Sequence, residues 1–87
     1  MHKAQVIDVR EKKDFDAGHI LGARNIPYST MRAYYQGIRK DMPVYLYDQG
    51  KAMSSRAAIL LKKHGYQEIY ILKTGYARWE GKTKKSV

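Results

Sequence analysis

Cysteine is absent from this sequence of 87 residues. The chain therefore cannot form a disulfide within itself, bind a metal through thiolates or use a thiol of its own as a nucleophile. It also lacks any run of about 18 apolar residues, the length that a transmembrane helix requires. Nothing before Gln5 has the pattern of a secretory signal peptide.

The start of the sequence is abrupt. Residues 4–9 already have the composition of a core strand, and the residues before them are too few to form an element that covers it. We therefore leave open a preceding segment in the full-length protein, including a membrane anchor. At this length the chain itself is expected to be one small domain, residues 1–87.

Positive charge predominates, because 17 Lys and Arg residues against 8 Asp and Glu residues give a formal net charge of +9. Such a balance favours nucleic acid, anionic lipid or acidic protein as a partner. The lysines are scattered, however, so we interpret them as a solvated surface and do not expect nucleic acid to bind. The one dense run lies in a basic tail, 81–87, for which we expect a frayed end.

The middle of the chain predicts a strand, a loop and a helix in succession. Val44–Tyr47 is apolar and β-prone, and the loop contains Gly50. Ser54 and Ser55 stand before a helix-forming run, where we expect them to cap the helix. In open α/β sheets, ligands bind beside the carboxyl ends of such strands. Asp48, the first residue after the strand, therefore occupies the position predicted for chemistry.

Strand and helix patterns alternate on both sides of this unit. The alternation predicts an α/β fold with a central, mostly parallel β-sheet flanked by helices. The predicted strands are 4–9, 25–27 and 68–72; the predicted helical pieces are 10–15, 29–37 with Ser29 or Thr30 as its cap, 57–64 ended by Gly65, and 75–79 with Trp79 packed as a lid.

Several separated motifs follow one another along the chain. They are Asp8-Val9-Arg10-Glu11, Phe15, Gly18-His19-Ile20, Gly22-Ala23 and Asn25-Ile26-Pro27, followed by Ala57-Ala58, Gly65-Tyr66, Ile69-Tyr70-Ile71-Leu72, Gly75 and Trp79. In this order they resemble the signature of rhodanese-like domains. The resemblance covers residues 6–79 and implies a small α/β domain with a mostly parallel sheet.

The resemblance implies a specific chemistry, and the sequence departs from it. In active members of the family, a cysteine after the central strand carries sulfur, as a persulfide, from a donor such as thiosulfate to a thiophilic acceptor. The resemblance places this nucleophile at Asp48, the arginine that closes the loop at Met53, and a hydroxyl residue at Ser54. The binding loop 48–54 consists of Asp48, Gln49, Gly50, Lys51, Ala52, Met53 and Ser54.

A carboxylate at the nucleophile position should abolish sulfur transfer. A thiolate can both attack and leave, whereas a carboxylate is a poor nucleophile toward sulfane sulfur and forms no stable persulfide analogue. We therefore assign no catalytic residue. We expect the Asp48 carboxylate to accept hydrogen bonds from amides of the loop and of the helix N-terminus.

The other polar candidates have structural interpretations. We expect His19 to be buried and hydrogen-bonded, and His64 to help satisfy the end of its helix. Asp8 and Arg10 are expected to orient the chain near the pocket. No second ligand stands at a metal-binding spacing from His19, so we predict neither a metal nor a cofactor.

Three functions remain in competition. We favour a catalytically inactive rhodanese-like module that binds a protein partner or a small ligand through the loop. The second is an enzyme that takes its cysteine from a partner chain or runs a different reaction at Asp48, although an aspartyl intermediate would need a metal and further carboxylates. The third is a basic domain that binds nucleic acid or an anionic membrane. We expect a cytoplasmic location, next to a membrane if an upstream anchor exists.

Overall fold

Four parallel strands form the central sheet of the computed structural model, which describes residues 4–86. The spatial order is β3–β1–β4–β5, and the predicted α/β fold with a parallel sheet is confirmed. In chain order the elements are β1 (Gln5–Asp8), α1 (Lys12–Ala17), β2 (His19–Ile20), β3 (Arg24–Asn25), α2 (Met31–Tyr34), β4 (Val44–Tyr47), α3 (Ala52–Lys63), β5 (Ile69–Ile71) and β6 (Thr83–Lys84), with single 3-10 turns at Tyr28–Thr30, Tyr35–Gly37 and Tyr76–Arg78.

One face of the sheet packs against α3 and forms the core. Alternate residues of a strand point to the same face, and on this face Ile7, Val44 and Leu46 are almost completely buried. Ala57 and Leu61 of α3 belong to the same buried cluster. Full burial of an aliphatic side chain is worth about 1.5–3 kcal/mol, so this cluster fixes the position of β4 and of the loop that follows it.

The opposite face of the sheet is covered unevenly. Near the carboxyl end of β4, Tyr47 is buried and its hydroxyl accepts a hydrogen bond from the backbone N–H of Ile20 in β2, at 3.0 Å. Two strand residues further back, Tyr45 stacks on Tyr70 of β5 with ring centroids 4.9 Å apart, and both rings are exposed. The covered end of this face is therefore the end at which the loop 48–54 lies.

α3 begins earlier than its apolar period indicates, at Ala52, and ends at Lys63. The predicted stop at Gly65 is confirmed: this glycine has a φ of +93° and donates its N–H to the carbonyl oxygen of Lys62 at 3.1 Å. His64 donates its backbone N–H to the carbonyl oxygen of Leu61, while its ring stacks on Tyr35.

The region after Pro27 differs from the single helix predicted for it, because short 3-10 turns flank the four residues of α2. Of the two predicted caps, Thr30 does occupy the N-cap position of α2, but its side chain makes no capping hydrogen bond. Ser29 Oγ donates to the carboxylate of Glu11 at 2.8 Å, and Thr30 Oγ1 lies 3.4 Å from the carbonyl oxygen of Pro27. The serine hydroxyl is thus held by the side chain of Glu11.

The basic C-terminal segment forms a strand, so the expected frayed end is wrong for residues up to Ser86. β6 pairs antiparallel with β2, and the N–H of Ser86 donates to the carbonyl oxygen of Asp16 at 2.9 Å. Val87 lies outside the described residues. Strands of two residues are too short to show an alternation of polar and apolar side chains, so no pattern in the sequence reveals them.

Within residues 4–86, no helix combines the length and the hydropathy that crossing a membrane demands. The expected element before the first strand would lie outside the described residues and stays a prediction.

Candidate functional site

Asp48 lies directly after β4 and is only 6 % exposed. Its Oδ2 atom accepts a hydrogen bond from the backbone N–H of Met53, in the first turn of α3, at 3.1 Å. Its Oδ1 atom is buried and has no hydrogen-bond partner among residues 4–86. The carboxylate therefore satisfies one helix amide, as expected, but its second oxygen lacks the partner that buried polar atoms normally have.

The two serines of the loop do not cap the helix. Lys51 occupies the cap position of α3, so Ser54 and Ser55 lie inside the helix, and the prediction that they precede it is wrong. Ser54 is completely buried, and its Oγ donates to the carbonyl oxygen of Lys51 at 3.2 Å. Its hydroxyl is thus committed to the backbone of the preceding turn and does not face the cavity.

A segment from the far end of the chain braces the loop. The N–H of Tyr76 donates to the carbonyl oxygen of Asp48 at 2.8 Å, and the N–H of Ala77 donates to that of Gln49 at 3.2 Å. Gly75, just before them, is buried with a φ of +69°, and a β-carbon there would lie 2.2 Å from the carbonyl oxygen of Gln49. Only glycine allows this close approach, so Gly75 sets the distance between its own segment and the loop 48–54.

A buried ion pair lies beside the loop, at the end of β1. Arg10 Nη2 is 2.8 Å from Asp8 Oδ2, and the Arg10 Nε and backbone N–H also donate to this carboxylate. Arg10 Nη2 donates further to the carbonyl oxygen of Gly18 at 2.6 Å, and the guanidinium lies over the ring of Tyr76. Asp8 and Arg10 are thus placed near the pocket, as expected.

These contacts set the protonation of the groups next to the site. Burial opposes the charge of Arg10, but the hydrogen bonds and the charge of Asp8 outweigh it and raise the pKa of the guanidinium above its usual value. Burial also raises the pKa of Tyr47 far above its usual value, so its hydroxyl remains neutral across the physiological range. Neither group can act as a base here.

A cavity of about 460 Å³ separates the loop after β4 from the segment after β1. Three of the predicted loop residues, Asp48, Gln49 and Met53, line it. Gly50, Lys51, Ala52 and Ser54 do not contribute to its walls. The complete lining is Val9, Arg10, Glu11, Asp14, Tyr28, Ser29, Asp48, Gln49 and Met53.

Five of the nine lining residues were not assigned to a site from the sequence. Val9, Glu11, Asp14, Tyr28 and Ser29 come from the N-terminal part of the chain, where sequence reasoning found a family signature and a helix cap but no site. The strand order expected for the sheet could have identified part of this lining. In a parallel sheet the residues after neighbouring strands meet at one edge, so the residues that follow β1 belong beside Asp48.

His19 and Trp79 lie away from this cavity. His19 is buried as predicted, its Nδ1 donates to the carbonyl oxygen of Phe15 at 2.7 Å, and the two rings stack. Trp79 is not a lid, because it contributes no wall to the cavity and its Nε1 donates to the carbonyl oxygen of Lys82. In the part of the chain that the structure describes, no group of three or more His, Asp or Glu side chains is arranged to hold a metal.

Comparison with protein-family models matches residues 1–82 to the rhodanese-like domain. Among curated proteins, YqhL of Bacillus subtilis (strain 168) is 56% identical over 82 residues, which are 94% of this chain and 65% of that protein. YibN of Escherichia coli (strain K12) is 36% identical over 81 residues, 90% of this chain and 57% of the relative. The chain thus spans less than two thirds of the length of these relatives.

Relatives whose names state an activity are also similar to the chain. Thiosulfate sulfurtransferase GlpE of Pseudomonas putida (strain GB-1) is 30% identical over 76 residues, covering 87% of this chain and 69% of the enzyme. The crystal structure of a thiosulfate sulfurtransferase from Pseudomonas aeruginosa superposes with a TM-score of 0.87 at 30% identity, over 97% of this chain and 17% of that chain. A rhodanese-like domain protein from Staphylococcus aureus has a TM-score of 0.89 at 21% identity, over 98% of this chain and 83% of that chain, and shares the fold.

The brace at Gly75 leads to the first prediction. Gly75→Ala forces an added methyl group against the loop backbone in a region of φ and ψ nearly restricted to glycine, and should lower the free energy of unfolding by more than about 3 kcal/mol. Gly22→Ala is the matched control, since Gly22 also has a positive φ, +92°, but open space around it. There the loss should stay near 1–2 kcal/mol, roughly the strain of the backbone alone. Urea denaturation measures both, and equal losses would contradict the bracing role.

The second prediction compares two Arg–Asp pairs of the same sequence spacing. Asp8→Asn leaves a buried guanidinium without its counter-charge and should lower the free energy of unfolding by about 3 kcal/mol. Asp41→Asn disrupts the pair of Asp41 with Arg39, in which both side chains are more than 60% exposed, and should produce no measurable loss. Thermal and urea unfolding of the two variants test this difference. Similar stabilities would show that the buried pair does not hold the site.

Proposed function

Because the chain belongs to the rhodanese-like domain family, we propose that it is a catalytically inactive member that binds a small ligand or a protein partner at the cavity beside the loop 48–54. One observation supports this proposal above the others. The buried residue at the head of the loop, where the family resemblance places the sulfur nucleophile, is Asp48, and its carboxylate is bonded to the amide of Met53.

The chemistry of sulfur transfer explains why this residue is decisive. A thiolate takes the outer sulfur of thiosulfate by forming an S–S bond while sulfite leaves with the electron pair of the broken bond, and a second acceptor then takes the sulfur from the persulfide. A carboxylate oxygen offers neither the polarizability for the attack nor a stable bond to the transferred sulfur. The 87 residues contain no cysteine that could replace it.

The structural elements around the position of the missing nucleophile are present, which favours a binding role for this site over no role at all. The braced loop, the buried Asp8–Arg10 pair and a cavity of about 460 Å³ remain. Sites of this kind, with a few polar groups in a partly apolar cleft, are where small molecules and protruding side chains bind. We propose that the ligand or partner contacts Asp48, Gln49 and Met53.

The distribution of charge supports a ligand at this cavity over nucleic acid as the partner. Exposed lysines lie on different elements, among them Lys12 on α1, Lys62 on α3, and Lys40 and Lys73 in loops. No single helix carries them, so the described residues offer no element that by itself resembles a basic nucleic-acid-binding helix. The cytoplasmic location stays a prediction, as does an upstream membrane anchor.

A thiosulfate–cyanide assay tests the proposal. The purified chain should form no thiocyanate above the protein-free rate, because it has no group that can hold the transferred sulfur. Asp48→Cys should gain a measurable rate, and Asp48→Cys with Met53→Arg should exceed it, since an arginine at the loop end adds a charge that stabilises the anionic donor. Asp48→Ser is the control. Its hydroxyl is similar in size to the cysteine thiol but cannot hold the transferred sulfur, so this variant should remain inactive.

Turnover by the unmodified chain that disappears in Asp48→Ala would contradict the proposal and would identify Asp48 as a catalytic residue. A folded Asp48→Cys variant that forms no persulfide would show that the loop no longer has the geometry of an active site.

A further inference from the structure

We propose that the cavity beside Asp48 binds a cationic hydrogen-bond donor on an apolar stem, the chemistry of an arginine or lysine side chain and of small alkyl guanidinium or ammonium ions. This inference rests on the proposed function, because it names the ligand class of the same site. It also reverses the expectation for a thiosulfate site, whose substrate is an anion.

The unpartnered oxygen of Asp48 is the first reason. Asp48 is more than nine-tenths buried and lines the cavity, and its Oδ1 has no donor among residues 4–86. Leaving a buried acceptor unsatisfied costs about 1–3 kcal/mol. Because this atom is enclosed, a donor N–H in the cavity reaches it through a turn of the carboxylate; the bond then recovers that cost, and a charged donor recovers more. An anionic ligand cannot donate to this oxygen and is repelled by the charge of the carboxylate.

The charges of the lining are the second reason. Three carboxylates, those of Glu11, Asp14 and Asp48, line the cavity against one guanidinium, that of Arg10. The charge of Arg10 is already matched by Asp8, which accepts its hydrogen bonds at 2.8–3.1 Å. The lining therefore presents an excess of negative charge to anything that enters.

The net charge of the chain does not cancel this local preference. A formal charge of +9 repels cations at a distance, but at physiological ionic strength the screening length is about 8 Å. The lysine of the loop, Lys51, is exposed and contributes no wall to the cavity. At contact distance the carboxylates of the lining therefore dominate the interaction.

The remaining walls suit an apolar stem. Val9, Tyr28 and Met53 supply hydrocarbon and ring surface next to the carboxylates. Long cationic side chains bury their methylene stems against such surface while the charged end reaches a polar partner. A cavity of about 460 Å³ has room for one such side chain.

Titration of isotope-labelled protein, followed by backbone amide chemical shifts, tests the inference. The probes are N-acetyl-arginine methylamide, the corresponding citrulline derivative, butylguanidinium and thiosulfate. Citrulline is the matched control, since it keeps the shape of arginine but has no charge. We expect the arginine derivative to shift the amides of residues 48–53 in a saturable manner, and the citrulline derivative and thiosulfate to leave them unchanged.

Two variants locate the effect. Asp48→Asn keeps the shape and the acceptor for the amide of Met53 but removes the charge, and should weaken binding of the arginine derivative about tenfold or more. Asp41→Asn removes a carboxylate outside the cavity and should leave the affinity unchanged. The spectra of the free variants report directly whether each variant is folded.

The outcomes separate this inference from the proposed function. Three results would overturn the inference: binding of thiosulfate instead of the cations, equal binding of citrulline and arginine, or no binding of any cation. In each of these cases the proposed function stands if the enzyme assay shows no turnover. Catalytic turnover would overturn the proposed function whatever the titration showed. Tighter binding of the blocked arginine than of butylguanidinium would identify a protein side chain as the ligand, and the reverse order a free small cation; both results support the inference.

Discussion

The parallel pairing of β1 with β4 is the constraint on which the site depends. Asp8 lies opposite Tyr47 in the register, and the N–H of Val9 donates to the carbonyl oxygen of Tyr47 at 2.9 Å. The two chains therefore leave the sheet side by side, one leading to Arg10 and the other to Asp48. Neither segment forms the cavity alone, because each supplies only part of the lining, and Tyr28 and Ser29, which follow β3, complete it.

Because the backbone is held in place on both sides of this edge, the side chain of Asp48 determines the chemistry of the site. Gly75 and Tyr76 hold the loop backbone in place, and the Asp8–Arg10 pair fixes the opposing segment. On such a scaffold a thiol would lie within reach of the amides of the loop, whereas a carboxylate consumes one of those amides and brings a buried charge. Under the proposals made above, the same geometry favours binding of a cation over capture of sulfur, because a carboxylate accepts hydrogen bonds but forms no stable persulfide analogue.

The sequence was sufficient for the features that have a local or a motif signal. The apolar run Val44–Tyr47 and the glycine stop at Gly65 identify their elements, and the motifs around Asp8 identify the family and place Asp48 at the head of the loop. The features that the sequence did not predict are contacts between residues far apart in the chain. The bond from Ser29 to Glu11, the brace from Gly75 and the pairing of β6 with β2 join residues far apart in the chain, and none leaves a periodic trace. The cap of α3 was misplaced because Ser54 suits a cap by type, while burial decides that it lies inside the helix.

Intact-protein mass spectrometry after incubation with thiosulfate tests the central claim most directly, since it detects the sulfur carrier itself. The account predicts that the mass of the chain remains unchanged, while Asp48→Cys gains the mass of one sulfur atom that cyanide removes. A covalently bound sulfur on the unmodified chain, released by cyanide, would contradict the account.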